Sequence, residues 1–518
     1  MTSVDVGPTT RLDLRLVPAA LTSWTVTTTG ILWQTGGLAV AVAAAVAIAG
    51  GVAWWRRRCA PSGESPPSVR AGVVAVAVTG AAFALAIGLR VHDLQQHPIT
   101  HRYGTTAAVA VIPSESPRFL GGNRMMFRAT LQALDGVEIG GRVVVFASAS
   151  RFAETSAGRP VGFRARIAAP TRRDMTVAVL SATGGPTWGE PTALHRTAHR
   201  LRAGFVDAAR AALPADQAAM LPALVLGDTS TVNAQTTNRF RVSGLTHLTA
   251  VSGANVTIVC GAVLLTAGLV GPRLAAASAA VVLVGFVVVV QPSASVLRAA
   301  VMGGITLLAL VSHRRRQAIP ALSATVLVLM IATPEMAVDV GFALSVSATA
   351  ALVVIAPAWS RRLSARGWPK PLADAVSVAA AAQLVTAPLV AGMSGMVSVV
   401  AVAANFAVAA VIPPITVAGT AAALLCPVWP VGAELLIRFT GPELWWLLRV
   451  SEVTAAMPGA AIAVPSGLLG VVTVAVASVV GVVAWRWRPA RLCVCAAALC
   501  LVAWTASGLS GGHDTIGG

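Results

Sequence analysis

Apolar runs of about 20 residues, the length that carries an α-helix through a hydrocarbon core of roughly 30 Å, recur along this chain from Ile31 onward. They occupy residues 31–55, 69–89, 248–270, 274–291, 296–312, 318–333, 338–358, 372–391, two crossings within 396–457, then 463–486 and 492–509. The pattern predicts a polytopic α-helical membrane protein of about 12 spans, with ten to twelve as the range. Composition agrees: of 518 residues 56% are hydrophobic and 11% charged, less than half the ~25% charge of a soluble domain. A soluble enzyme is excluded, and so is a disordered chain, which needs low hydrophobicity and high charge.

Charge fixes the expected orientation. There are 38 basic residues against 20 acidic ones, and Lys370 is the only lysine. Such an excess favours anionic partners, either membrane lipid headgroups or nucleic acid. Arg56-Arg57-Arg58 follows the first run directly, whereas a secretory signal carries its charge before a shorter core, so the run is expected to stay as an anchor with the N-terminus outside. Counted from there, the basic groups at 313–316, 361–370 and 486–491 all fall on the cytoplasmic side. The expected location is therefore the cell membrane, crossed many times.

The layout this implies is two N-terminal spans in 1–90, an extracytoplasmic domain in 91–192, a surface helix and a polar motif in 193–247, a multi-span transmembrane domain in 248–457, and two further spans with a short tail in 458–518. Residues 91–213 hold fifteen arginines against eight carboxylates. Within them, short apolar stretches such as Gly141–Phe146 and Val161–Ile167 alternate with Gly, Pro and Ser clusters, the signature of a small all-β domain. Arg124, Arg128, Arg142, Arg164 and Arg166 are its candidate residues for binding an anionic partner. Phe119, Phe127, Phe146, Phe152, Phe163 and Tyr103 serve either as stacking platforms or as barrel core, and core is expected for most. Between Leu194 and Leu213 charged and apolar residues alternate with helical period, as in an amphipathic helix lying along a membrane surface.

Several chemistries have no motif here. No Gly-x-x-x-x-Gly-Lys-Ser/Thr loop occurs, so nucleotide hydrolysis by that route is excluded. The pairs His97/His101 and His195/His199 lack the glutamate of a metalloprotease helix, and Cys493-x-Cys495 lacks metal-site spacing. No cofactor, metal site or catalytic group is expected, and directional work must draw on a partner or a gradient.

Strongly polar side chains at membrane depth cost several kcal/mol unless paired or wet, so each marks a candidate site. The densest group comprises Asp228 and the run through His247, Ser252, Gly253 and Asn255. Ser252-Gly253 inside an apolar helix predicts a break, tolerated only where it is buried in protein or lines water, and exposed amides there attract anions; close packing of small residues is the alternative. Arg298 stands three residues into its run among Ala299, Ala300, Gly303 and Gly304. It either snorkels to the interface or faces inward, where a guanidinium grips phosphate. Asp339, near the end of a later run, is its expected counter-charge. Gln383 with Pro388, and Asn405 with Pro413-Pro414, mark two further positions; a re-entrant or interfacial helix is possible in 396–457.

In this order, the clusters resemble the ComEC family of competence membrane proteins. The matching stretches are Leu226–Thr229, Gly244–Asn255, Leu297–Met302, Asp339–Ser345 and Ala404-Asn405 ahead of Pro413, spread over about residues 210–420. The Gly-Leu-x-His-Leu-x-Ala-Val-Ser-Gly-x-Asn run carries the most specificity; many relatives have His where this chain has Asn255. The resemblance implies a channel that passes single-stranded DNA into the cytoplasm during natural transformation, with an OB-like outer domain. It also implies a separate DNA receptor and a cytoplasmic motor ATPase as partners, and leaves a homo-oligomer open. Many relatives carry a C-terminal metallo-β-lactamase-like domain; this chain is expected to lack it and to rely on a separate nuclease. A secondary transporter of a small anion or lipid-linked precursor is the rival reading, and an intramembrane hydrolase using Ser252, His247 and Asp228 a more distant one.

Overall fold

The computed structural model describes residues 13–34, 67–249, 251–269, 271–290, 293–312 and 317–484. The expected spans at 31–55 and 492–509 fall largely or wholly outside them. So do Arg56–Arg58, the basic groups at 313–316 and 486–491, and four of the six cysteines. The chain divides into two compact units, Met1–Ala203 with Val256–Ser345 and Gly204–Asn255 with Val346–Gly518.

The first helix, α1 (Val17–Leu32), lies in a stretch whose mixed composition gave no expectation of structure. Pro18 starts it, and the hydroxyls of Thr22, Thr25 and Thr29 return to carbonyls one turn back at 2.8–2.9 Å. These three of its five threonines thus satisfy themselves inside the helix. α1 packs against α2 (Pro67–Gln95), which leads through a 3-10 turn at Pro98–Arg102 into a β domain.

That domain contains β1 (Thr106–Pro113), β2 (Arg118–Phe119), β3 (Arg124–Leu134), β4 (Val137–Ser148), β5 (Val161–Ala168), β6 (Ala178–Ala182) and β7 (Thr187–Trp188). Five strands close on themselves in the order β1-β3-β4-β6-β5-β1, antiparallel at every step except β4–β6. They form a small β barrel, in the segment where the short-strand pattern led us to expect an all-β domain. Alternation does the sorting: Met125, Phe127, Ala129 and Leu131 of β3 point into the core, and Arg124, Met126, Arg128 and Thr130 point out. The β3–β4 hairpin turns on Asp135-Gly136, both with positive φ (49° and 83°), as a two-residue type I′ turn requires. Asp135 Oδ1 also accepts from Ala108 N at 2.9 Å.

Helices follow: α3 (Ala193–Ala212), α4 (Ala215–Leu226), α5 (Ala234–Val242), the single turn α6 (Thr246–Thr249), α7 (Gly253–Ala267), α8 (Pro272–Val290), α9 (Ala294–Val311), α10 (Ala318–Ala332), α11 (Val340–Ser364) and α12 (Lys370–Ser394). A short strand β8 (Met396–Ser398) leads to α13 (Ala401–Val408), α14 (Ile412–Leu425), α15 (Pro430–Phe439) and α16 (Gly441–Ala456). Strand β9 (Ala461–Ala463) returns to pair with β8, and α17 (Leu468–Ala484) packs on α12. In α3, Ala198, Arg202, Phe205 and Ala209 form one buried stripe. The expected amphipathic helix is present, with its apolar face covered by protein.

This is a membrane protein. Five helices (α2, α8, α9, α11, α12) are long and apolar enough to cross a bilayer, or six if α13 and α14 count as one span bent by 54°. The expectation of about 12 spans is therefore not met among the described residues. Helices α4, α7 and α10 are apolar but only 12, 15 and 15 residues long, short of the ~20 a crossing needs. Gly227, Ser252-Gly253 and Pro334 cut them there, and α17 is followed as far as Ala484, where the described residues end. In 430–456, where a further crossing was expected, Glu434 pairs with Arg438 at 2.6 Å and Arg449 with Glu452 at 2.8 Å. The break expected at Pro413-Pro414 is present, in the first turn of α14.

Candidate functional site

In the second unit, two separate stretches of sequence meet. Helix α4 ends at Gly227, a left-handed cap (φ 71°) whose N–H donates to Ala223 O. Asp228 follows and folds an Asx turn, its Oδ1 accepting from Ser230 N at 3.1 Å and Ser230 Oγ at 2.7 Å. Val251 packs over Gly227. Val251 and Ser252 lie outside any helix, and α7 starts at Gly253, so the break anticipated at Ser252-Gly253 is there. Asn255, 6% exposed, donates Nδ2 to Leu224 O at 2.9 Å, and its Oδ1 accepts from Ser252 Oγ at 3.3 Å. The last four carbonyls of a helix have no intrahelical partner, and Asn255 supplies one for α4.

The intervening segment is anchored just as firmly. Asn233 caps α5 through Thr236 N at 2.6 Å, and Arg239 pairs with Glu452 of α16 at 3.2 Å. Gly244 has φ 73°, and a Cβ there would stand 2.5 Å from Cβ of Ala401. This close approach sets the turn that presents His247, which is exposed on α6. Ser398, the other neighbour of Gly244, accepts at its carbonyl from Gln383 Nε2 at 3.4 Å, and Asn405 Nδ2 donates to Ala401 O at 2.8 Å. Gln383 and Asn405 therefore support the two residues on which Gly244 rests. Asp228, Ser252, Gly253 and Asn255 form one cluster of this unit, and Gln383 and Asn405 support the turn before His247.

Arg298 and Asp339 belong to the first unit. Ser293 Oγ caps α9 through Val296 N, and Arg298 lies one turn in, 7% exposed. Its Nε donates to Ser345 Oγ at 2.6 Å and its Nη1 approaches Met302 Sδ at 3.8 Å. Asp339 does not act as the expected counter-charge. Its Oδ1 caps α11 by accepting from Phe342 N at 2.8 Å, and among the described residues no carboxylate lies within ion-pair distance of Arg298. A buried guanidinium held by a hydroxyl and a thioether keeps its full positive charge available to an anion. Ser345 was overlooked as a site residue because one serine in an apolar helix carries no signal without its partner.

On the barrel, β3 and β4 present an outer face in register. Arg124 faces Ser148, Met126 faces Phe146, Arg128 faces Val144 and Thr130 faces Arg142, with β2 adding Arg118 beside Met126. Phe146 is half-buried and Phe119 is 62% exposed, while Phe127, Phe152 and Phe163 lie in the core. Tyr103 is half-buried and donates to Val177 O at 2.7 Å; burial pushes its phenol up. Arg128 shares Glu115 with Arg118, at 3.9 and 3.7 Å. Arg142 forms an ion pair with Glu335, in the 3-10 turn at Pro334–Val338. Arg124, Arg164 and Arg166 have no carboxylate partner among the described residues. Three of the four paired histidines are tied into the fold: His97 donates to Gly140 O at 2.6 Å, His199 to Ala157 O at 2.9 Å, and His195 bonds Thr192 at 2.7 Å.

Residues 224–489, just over half of the chain, match the profile of a family described as "Competence protein". No curated protein and no solved structure matches the chain.

Proposed function

Because the chain belongs to the competence protein family, we propose that it forms the cell-membrane channel through which single-stranded DNA enters during natural transformation. Family membership supports a role in DNA uptake during competence, and a buried cation with neutral partners supports the reading that a polyanion is handled. The observation that carries the reading is Arg298: a buried cation, in an apolar helix, whose partners are neutral. Such a group favours a passing phosphate over any cation. The barrel's β3–β4 face, with Phe119, Phe146, Arg124 and Arg128, would receive the strand by stacking and charge, the way OB-folds hold single strands. The clusters at Asp228–Asn255 and at Gln383–Asn405 would shape the passage.

In this reading the protein is a conduit and not an enzyme. A receptor, a cytoplasmic motor ATPase and a nuclease would be separate proteins. Replacing Arg298 with Ala is expected to abolish uptake of labelled DNA while the protein still reaches the membrane. Normal uptake by Arg298→Ala would overturn the role.

A further inference from the structure

An apolar groove of about 240 Å³ lies between α1, α2 and the end of α10. Phe83, Ala86, Ile87, Met330 and Ile331 supply its walls. Two polar groups touch it, and both are unusual. Thr27 Oγ1 is buried without a hydrogen-bond partner, although Thr22, Thr25 and Thr29 of the same helix all bond back to carbonyls. Trp24 and Thr28 fix this part of α1 by donating to Ala337 O at 2.9 and 3.1 Å, so the Thr27 side is held against the groove. Burying a hydroxyl without a partner is unfavourable, and a ligand bearing an acceptor would relieve that cost.

Arg90, exposed, is the second group. Its Nη2 donates to Ile331 O at 2.9 Å, a carbonyl in the last turn of α10, and this uses one of the five N–H donors of the guanidinium. Glu335 stands next to Pro334, which also lines the groove, but its carboxylate is taken by Arg142. The positive charge of Arg90 is therefore left for an anion. Alongside, Val74, Val78, Leu85 and Leu89 of α2 are exposed apolar side chains, as on a surface bathed in lipid.

We propose that this groove is a binding site for one anionic phospholipid. An acyl chain fills the apolar trough, an ester carbonyl accepts from the Thr27 hydroxyl, and the phosphodiester lies on Arg90. The match is chemical at each of three points: alkyl chain to apolar wall, acceptor to stranded donor, phosphate to guanidinium. The site is independent of the DNA reading, since it requires only that the chain be embedded in a bilayer.

The test is native mass spectrometry of the full chain, released from nanodiscs of phosphatidylcholine containing a minority of phosphatidylglycerol. The wild type is expected to retain one phosphatidylglycerol in preference to phosphatidylcholine. Arg90→Gln should lower that preference on the order of tenfold, as loss of a charge-assisted bond does. Thr27→Val should weaken retention of both lipids, and Ala86→Trp, which fills the groove, should abolish it. Leu89→Trp, on the exposed side of α2, should behave as wild type and shows that a bulky residue on this helix is tolerated. Equal retention of the two lipids by the wild type, or unchanged retention by Arg90→Gln and Ala86→Trp, would overturn the site.

Discussion

Asn255 and Leu224 are joined across thirty-one positions by one hydrogen bond of 2.9 Å from the side-chain amide to the backbone carbonyl. The bond fastens the helix after the Ser252-Gly253 break to the end of α4. Asn255→Leu would leave the Leu224 carbonyl buried without a partner, a loss of about 1–3 kcal/mol. Asn255→His keeps a donor at the same place. We therefore expect thermal unfolding of the detergent-solubilised protein to fall clearly for the leucine variant and much less for the histidine one. Equal losses would show that the amide does not bear on stability.

Gly244→Ala combines a left-handed backbone with a contact of 2.5 Å to Cβ of Ala401. The backbone alone costs about 1–2 kcal/mol, and the clash adds to it. The expected result is lower thermal stability, with amide exchange faster in the 244–249 and 398–405 stretches. Exchange confined to one of the two would argue against their packing together.

The ion pair between Arg142 and Glu335 is partly exposed, with side chains 41% and 23% accessible, so its coupling energy should be modest, about 0.2–1 kcal/mol. A double-mutant cycle with Arg142→Gln and Glu335→Gln measures it. Either single change should speed amide exchange at 334–338, and the double change should add little more. Additive effects would show that the two side chains act separately.

On the barrel, Phe119→Ala with Phe146→Ala is expected to weaken binding of single-stranded DNA by the full chain in nanodiscs, by about 1–3 kcal/mol per stacked base. Arg124→Gln should reduce the dependence of that binding on salt, since each phosphate contact contributes to the slope. Fluorescence anisotropy across a salt series reads both. An unchanged slope would remove Arg124 from the interface.

How much of this was legible beforehand depended on period and punctuation. The small β domain was readable because short apolar stretches such as Val161–Ile167 are separated by Gly, Pro and Ser clusters, and Ser252-Gly253 and Pro413-Pro414 announced their breaks. The span count is not confirmed among the described residues, because hydropathy integrates over a window and ignores where the helix stops: Gly227 and Pro334 end apolar helices early. Side-chain partners were harder. Asp339 looked like a counter-charge for Arg298, yet a carboxylate one residue before a helix has a nearer use, capping Phe342 N. Arg142 read as a free surface cation, because no local pattern reveals a carboxylate nearly two hundred positions away. Thr27 was invisible, since its distinction is a bond it does not make.

An amide does not titrate. The tie from Asn255 to Leu224 therefore stays the same from mildly acid to mildly alkaline surroundings, over the interval in which an imidazole at that position would gain or lose a proton. With asparagine here, acidity has no direct hold on this joint.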